Sequence, residues 1–174
     1  MDKDTKSEII EWVKAITLAL VLALTVRTYI FEPMIVPTGS MIHTIEINDK
    51  IFVNKYIYRF QPLKPGDIVV FKAPDEPGST FVKRLIGVGG DVIEIKDSVL
   101  YVNNNPVDEP YLKEPMIGDY GPYKVPEGHY FMMGDNRNNS RDARSWTNKY
   151  VSRNKIVGKA TYRIWPLNRA GAIK

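Results

Sequence analysis

The sequence predicts a mainly β domain of antiparallel sheets, preceded by a single membrane-length helix at the N-terminus. Three observations predict it. Residues 15–26 (AITLALVLALTV) carry no charge. After Glu32-Pro33, runs of four to eight β-branched and aromatic residues alternate with Pro, Gly, Asn and Asp clusters, the pattern of strands and turns. No helical period longer than about two turns recurs beyond residue 32. The length, 174 residues, suits one domain with a short appendage.

The uncharged run alone is too short for a bilayer core, because twelve helical residues rise only about 18 Å against about 30 Å. Its flanks extend it. Val13 to Phe31 spans 19 residues, about 28 Å, and its only charges, Lys14 and Arg27, sit near the ends, where long side chains reach the interface. Trp12 and Tyr29 stand where interfacial aromatics belong. A core helix needs a polar face, and this stretch has only Thr17 and Thr25. A cleaved leader needs small residues after it, and Arg27-Thr28-Tyr29-Ile30-Phe31 follows. An anchor is therefore expected, dividing the chain into a tail (1–12), a span (13–31) and a β domain (32–174). Residues 1–31 hold four bases and four acids, so charge does not orient the span and the whole +4 lies beyond it.

Within the β domain, strands are expected at 51–58, 67–72, 81–88, 92–96, 99–102, 129–133 and 156–165. VIEIKDSVLYV (92–102) reads as a hairpin turning at Asp97-Ser98. Residues 103–127 carry Pro106, Pro110, Pro115, Pro122 and Pro126 and are expected to form an irregular surface excursion.

Composition limits the chemistry. The absence of cysteine excludes disulfides, thiolate metal sites, iron–sulfur clusters and a cysteine nucleophile. Two histidines, His43 and His129, leave little for a histidine-rich metal centre or a histidine-based triad. A mild basic excess without a basic run does not point to nucleic acid. A hydrolase built from this chain needs another base, and lysine is the abundant one. Three segments supply candidates. In Pro37-Thr38-Gly39-Ser40-Met41, a glycine before a serine allows a sharp turn with an accessible hydroxyl; the Ser40 amide and the Thr38 hydroxyl are candidate oxyanion donors. In Phe81-Val82-Lys83-Arg84-Leu85-Ile86, strand alternation puts Lys83 between Phe81 and Leu85 on one face. Lowering a lysine pKa by two units requires roughly 2.7 kcal/mol of differential solvation, within reach of an apolar pocket. Arg84 faces the other way and is expected in a structural ion pair. Residues 134–146 (GDNRNNSRDARSW) form a loop dense in charged hydrogen-bonding groups that can brace a site.

These three segments, in this order behind an N-terminal span, resemble the type I signal peptidases of bacteria. PTGSM is similar to the nucleophile block of that family, KRLIGVGGD (83–91) to its lysine block and GDNRNNSRDAR (134–144) to its third block; GDIVVF (66–71) and RIWPLNR (163–169) are similar too. The chain departs from the family pattern at His43 and Gly89, where prolines are usual, at Ala143, where serine is usual, and at Thr147, where glycine is usual. His43, three residues from Ser40, is the rival base.

The resemblance implies a membrane-bound serine endopeptidase that removes signal peptides after small residues, in an Ala-X-Ala pattern, through a Ser-Lys dyad and an acyl-enzyme. Ser40 would be the nucleophile, Lys83 the general base, Thr38 an oxyanion donor beside the Ser40 amide, and Ser140 a hydrogen-bond partner of the Lys83 amine. Met34, Val36, Met41, Ile45, Phe81 and Val82 would line the substrate pockets. Asp135, Arg137, Asp142 and Arg144 would brace the site. No cofactor or metal is implied. The implied partners are preproteins bearing signal peptides and the lipid bilayer, with the catalytic domain on the extracytoplasmic side and the tail in the cytoplasm. The alternative is an inactive, membrane-tethered relative that binds exported polypeptides, which loss of Ser40 or Lys83 would mark.

Overall fold

A computed structural model describes residues 3–174, so residues 1 and 2 of the expected tail lie outside the described part, as do the side chains of Lys3, Asp4 and Tyr29. Helix α1 runs Lys3–Tyr29, 27 residues and about 40 Å, so the helix starts well before the expected span and stops before Phe31. Phe31 instead opens the first strand. The stretch Thr5–Thr28 is long and apolar enough to cross a membrane by length and composition, and none of it is buried against the rest of the protein. That excludes a core helix. Thr17 and Thr25 return their hydroxyls to Val13 O and Val21 O at 2.8 and 2.7 Å, so their polar groups are satisfied within the helix itself.

Twelve strands follow: β1 Phe31–Ile35, β2 Lys50–Asn54, β3 Ile68–Lys72, β4 Thr80–Val88, β5 Val92–Lys96, β6 Val99–Val102, β7 Asn105–Pro106, β8 Tyr120–Lys124, β9 His129–Met133, β10 Val151–Ser152, β11 Ile156–Trp165 and β12 Gly171–Ala172. The larger sheet has the order β1-β2-β11-β3-β4-β9-β10, with β12 on β11; the smaller has the order β7-β6-β5-β8. Neighbouring strands are antiparallel. The β5–β6 hairpin turns at Asp97 and Ser98, at φ 50° and 67°, the left-handed pair that a two-residue turn needs.

β3 shows why the central strands read as unbroken apolar runs. Val69 and Phe71 enter a core shared with Leu85, Ile93, Leu100, Phe131 and Trp146, which lies against the smaller sheet. Ile68 and Val70 enter a second core with Val36, Met41, Ile45, Val53, Val82 and Ala160. Both faces are buried, so the usual apolar–polar alternation disappears.

Two expectations are corrected. The strand expected at 51–58 ends at Asn54. The Asn54 carboxamide oxygen accepts from the Tyr56 and Ile57 amides, both at 3.0 Å, and turns the chain into the 3-10 turn Ile57–Arg59. The 103–127 excursion is not merely irregular surface. It contributes β7 and β8, buries Met116 and Val125, and turns Glu109 inward. Its prolines are tolerated because β7 and β8 are the outer strands of the smaller sheet.

Candidate active site

The turn that follows β1 is held at both ends by backbone. The Val36 amide donates to Asp49 O at 3.0 Å and the Asn48 amide to Val36 O at 2.8 Å, closing residues 37–47 into a compact loop. Inside it, the Ile45 amide donates to Met41 O at 2.8 Å, one helical turn that points Met41 and Ile45 inward. The loop is also fastened to the segment after β9. The Asn136 amide donates to Ser40 O and the Asn136 side chain to Gly39 O, each at 3.0 Å.

This places Ser40 against β4. Ser40 and Lys83 are both buried, 8% and 4% exposed, and Ser40 Oγ and Lys83 Nζ are hydrogen-bonded to each other. The Lys83 amine lies 5.7 Å from the centre of the Phe81 ring, as strand alternation requires. Burial is the largest influence on this amine and lowers its pKa to about 8. The Asp142 and Asp135 carboxylates pull it up and the Arg144 guanidinium pushes it down. A lysine at about 8 is substantially neutral in weakly alkaline water and can accept a proton from a serine hydroxyl.

Around the pair runs a buried ionic network. The Arg84 guanidinium grips Asp135 with two bonds, at 2.8 and 2.7 Å, and the Thr44 hydroxyl donates to the same carboxylate at 2.5 Å. The Asp142 carboxylate accepts from Arg144 at 2.9 and 2.8 Å and from the Gly134 amide at 3.1 Å. Arg137 donates from Nε to Gly134 O at 3.0 Å. These contacts put Asp135, Arg137, Asp142 and Arg144 beside the pair, in hydrogen bonds rather than free to react.

A cavity of about 190 Å³ opens beside Ser40 and Lys83, lined by Met34, Val36, Pro37, Thr38, Ser79, Thr80, Phe81 and Val82. Four of the six expected pocket residues are there. Met41 and Ile45 are not, because the helical turn drives both into the second core, where each is 0% exposed. Pro37 belongs to the expected Ser40 segment but not to the expected lining, and Ser79 and Thr80 escaped the sequence reading, since both look like turn residues until the strand is known to begin at Thr80. A larger cleft, about 590 Å³, lies between residues 58–63, 127–130 and Arg153, but it contains no nucleophile beside a base.

The expected bond between Ser140 and Lys83 is not made. The Ser140 hydroxyl is buried and has no hydrogen-bond partner among the described residues. It lies against Gly134 instead: a Cβ at Gly134 would clash with both Ser140 Oγ and Ser40 O. The 3-10 turn Arg137–Asn139 carries the chain back over Gly134 and sets Ser140 there. His43 is exposed and faces a different cavity with Tyr111, Lys113 and Lys174. At Gly89, a Cβ would stand 2.9 Å from Glu127 Cα, so the glycine accommodates a close backbone approach.

Comparison with known proteins gives one consistent answer. A family profile described as signal peptidase, peptidase S26, matches residues 9–165. The chain is 43% identical to signal peptidase I P of Bacillus subtilis subsp. natto, over 97% of this chain and 95% of that protein. It is 39% identical to a signal peptidase I of Leptolyngbya laminosa, over 96% of this chain and 85% of that protein. The crystal structure of a signal peptidase I from Enterococcus faecalis V583 superposes with a TM-score of 0.52 at 31% identity, covering 58% of this chain and 98% of that one.

Proposed function

This chain belongs to the signal peptidase family, peptidase S26, and on that premise we propose that it removes signal peptides from preproteins through a Ser40–Lys83 dyad. The observation that carries the reading is the buried hydrogen bond between Ser40 Oγ and Lys83 Nζ at the wall of a cavity. Neutral Lys83 takes the Ser40 proton as Oγ attacks the scissile carbonyl. The tetrahedral oxyanion falls to the Ser40 amide and the Thr38 hydroxyl, which lies on the same cavity. Collapse expels the mature protein's amino group, which takes its proton from Lys83, and leaves the signal peptide esterified to Ser40. Lys83 then deprotonates a water that hydrolyses the ester and frees Ser40.

Two features suit an extended substrate. β1 is the outer strand of its sheet, so one of its edges is unpaired. On β4, pairing with β9 involves only Arg84 onward, which leaves the ladder beside residues 80–83 open on that side. A preprotein segment laid between them by strand addition brings its scissile bond to Ser40. The cavity of about 190 Å³, narrowed by Val36, Phe81 and Val82, fits small side chains of the Ala-X-Ala kind. Helix α1 anchors the enzyme in the membrane, a reading supported by its exposed, apolar length; the extracytoplasmic placement of the β domain rests on the likeness to the family alone.

The test is cleavage of a synthetic preprotein by the wild type, Ser40→Ala and Lys83→Ala. Each variant is expected to lose about 10³-fold or more in kcat. Cutting by Lys83→Ala that disappears only when His43 is also replaced would assign the base to His43.

A further inference from the structure

The 103–127 excursion carries two side chains that the chemistry above does not use. The Glu109 carboxylate, 7% exposed, accepts both terminal nitrogens of Arg137 at 2.6 Å each and the Tyr111 hydroxyl at 2.6 Å. The Tyr111 ring lies 3.7 Å from the Arg84 guanidinium carbon and 5.9 Å from that of Arg137. One acid and one ring therefore grip two arginines that stand on different elements.

Both arginines sit one short step from the reacting pair. Arg84 follows Lys83 on β4, and its two bonds to Asp135 lead to Thr44, four residues past Ser40 on the nucleophile turn. Arg137 holds Gly134 O through Nε, and Gly134 is packed against Ser40 O. The Arg137 carbonyl accepts from Arg144 at 2.6 Å, and Arg144 is bound to Asp142. A guanidinium is planar, so a ring stacked on it and a carboxylate matched to it restrict its orientation as well as its position. We propose that Glu109 and Tyr111 are positioning residues for the peptidase reaction, a clamp that holds Arg84 and Arg137 and, through them, the Lys83 strand and the Ser40 turn in their reactive arrangement. This inference rests on the Ser40–Lys83 assignment.

A clamp that only stabilises the fold and a clamp that positions the dyad differ in what its loss changes. The charged groups that act on Lys83 are Asp142, Asp135 and Arg144, and burial outweighs them all. Removing the ring leaves Arg84 held only at its edges, by Asp135 and Gly66 O, with its face uncovered; β4 then loosens and admits water to the amine, which moves Lys83 back toward an ordinary lysine. Misplacement of about 1 Å in such a site costs on the order of 10²-fold in rate.

The experiment uses the full-length enzyme in detergent with a synthetic preprotein, with rates normalised to the folded fraction by near-ultraviolet circular dichroism. Tyr111→Ala is expected to lower kcat by about 10- to 100-fold with KM changed less than about threefold, and to move the midpoint of the pH–rate profile upward. Tyr111→Phe keeps the ring on Arg84 and is expected to restore most of the loss. If the alanine variant does not fold, Tyr111→Leu, which fills the space without an aromatic face, carries the same expectation. Wild-type kcat and midpoint in the folded ring-less variant overturn the proposal. If Ser40→Ala and Lys83→Ala are inert in that assay, the dyad stands and only the clamp fails; if either cleaves like the wild type, the dyad fails first.

Discussion

Lys83 concentrates the residue-scale physics of this protein. An ammonium buried at 4% exposure beside an aromatic ring favours its neutral form, which brings its pKa down to about 8. Because the proposed base must be neutral, kcat/KM is expected to rise with pH and reach half its plateau near pH 8, falling about tenfold per pH unit on the acidic side; a pH–rate profile of preprotein cleavage checks it. The same shift has a stability cost. The folded value lies below the ordinary 10.5, so between about 8 and 10.5 the unfolded chain binds a proton that the folded chain does not. Stability therefore rises with pH across that window, and the full cost, about 3 kcal/mol, applies below it. Lys83→Met is expected to abolish cleavage yet stabilise the protein by about 3 kcal/mol at pH 7, a gain that fades toward pH 10.5; urea unfolding at several pH values measures it. The apolar setting of Lys83 was legible because alternation along a strand depends only on local sequence. The missing bond of Ser140 was not, because it depends on how a 3-10 turn folds back over Gly134.

At the scale of elements, the site is a junction of the turn after β1, strand β4 and the loop after β9. Strand β4 could be read from its residues to within one position of its start. Its partners could not, since pairing with β3 and β9 joins segments far apart in sequence. The Ser40 turn shows the same limit: Met41 and Ile45 have the chemistry of pocket residues, but the Ile45-to-Met41 backbone bond sends them into the core. Gly134 is the tightest point of the junction. Gly134→Ala forces a methyl into the backbone at Ser40 O and is expected to destabilise the protein by about 1–3 kcal/mol and to lower kcat at least about tenfold. Gly171→Ala on β12, where nothing lies within 4 Å, is the matched control and is expected within about 0.5 kcal/mol of wild type. Thermal melting and preprotein cleavage of the two variants make the comparison. The excursion was misread because prolines say where regular ladders stop, and say nothing about which side chains between them turn inward, as Glu109 does.

For the molecule as a whole, the membrane-length part of the helix stands apart from the packing of the β domain. No residue of Thr5–Thr28 is buried against the sheets, whereas the β domain holds two apolar cores. Deleting residues 1–28 is expected to leave the melting temperature of the β domain within a few degrees while abolishing cosedimentation with lipid vesicles; the two measurements together test the anchor. What the sequence by itself determined follows from local rules. Composition removed cysteine chemistry and left lysine as the abundant candidate base, hydropathy marked the helix, and runs of β-branched and aromatic residues between turn residues marked most strands and the hairpin at Asp97-Ser98. Only the tertiary structure decided which groups meet: Ser40 with Lys83, Asp135 with Arg84 and Thr44, and Glu109 and Tyr111 with two arginines. The physical reason is range. Backbone geometry and burial preference act over a few residues and are written in them, whereas a hydrogen bond between residues 43 positions apart exists only once two sheets and two cores have closed around it.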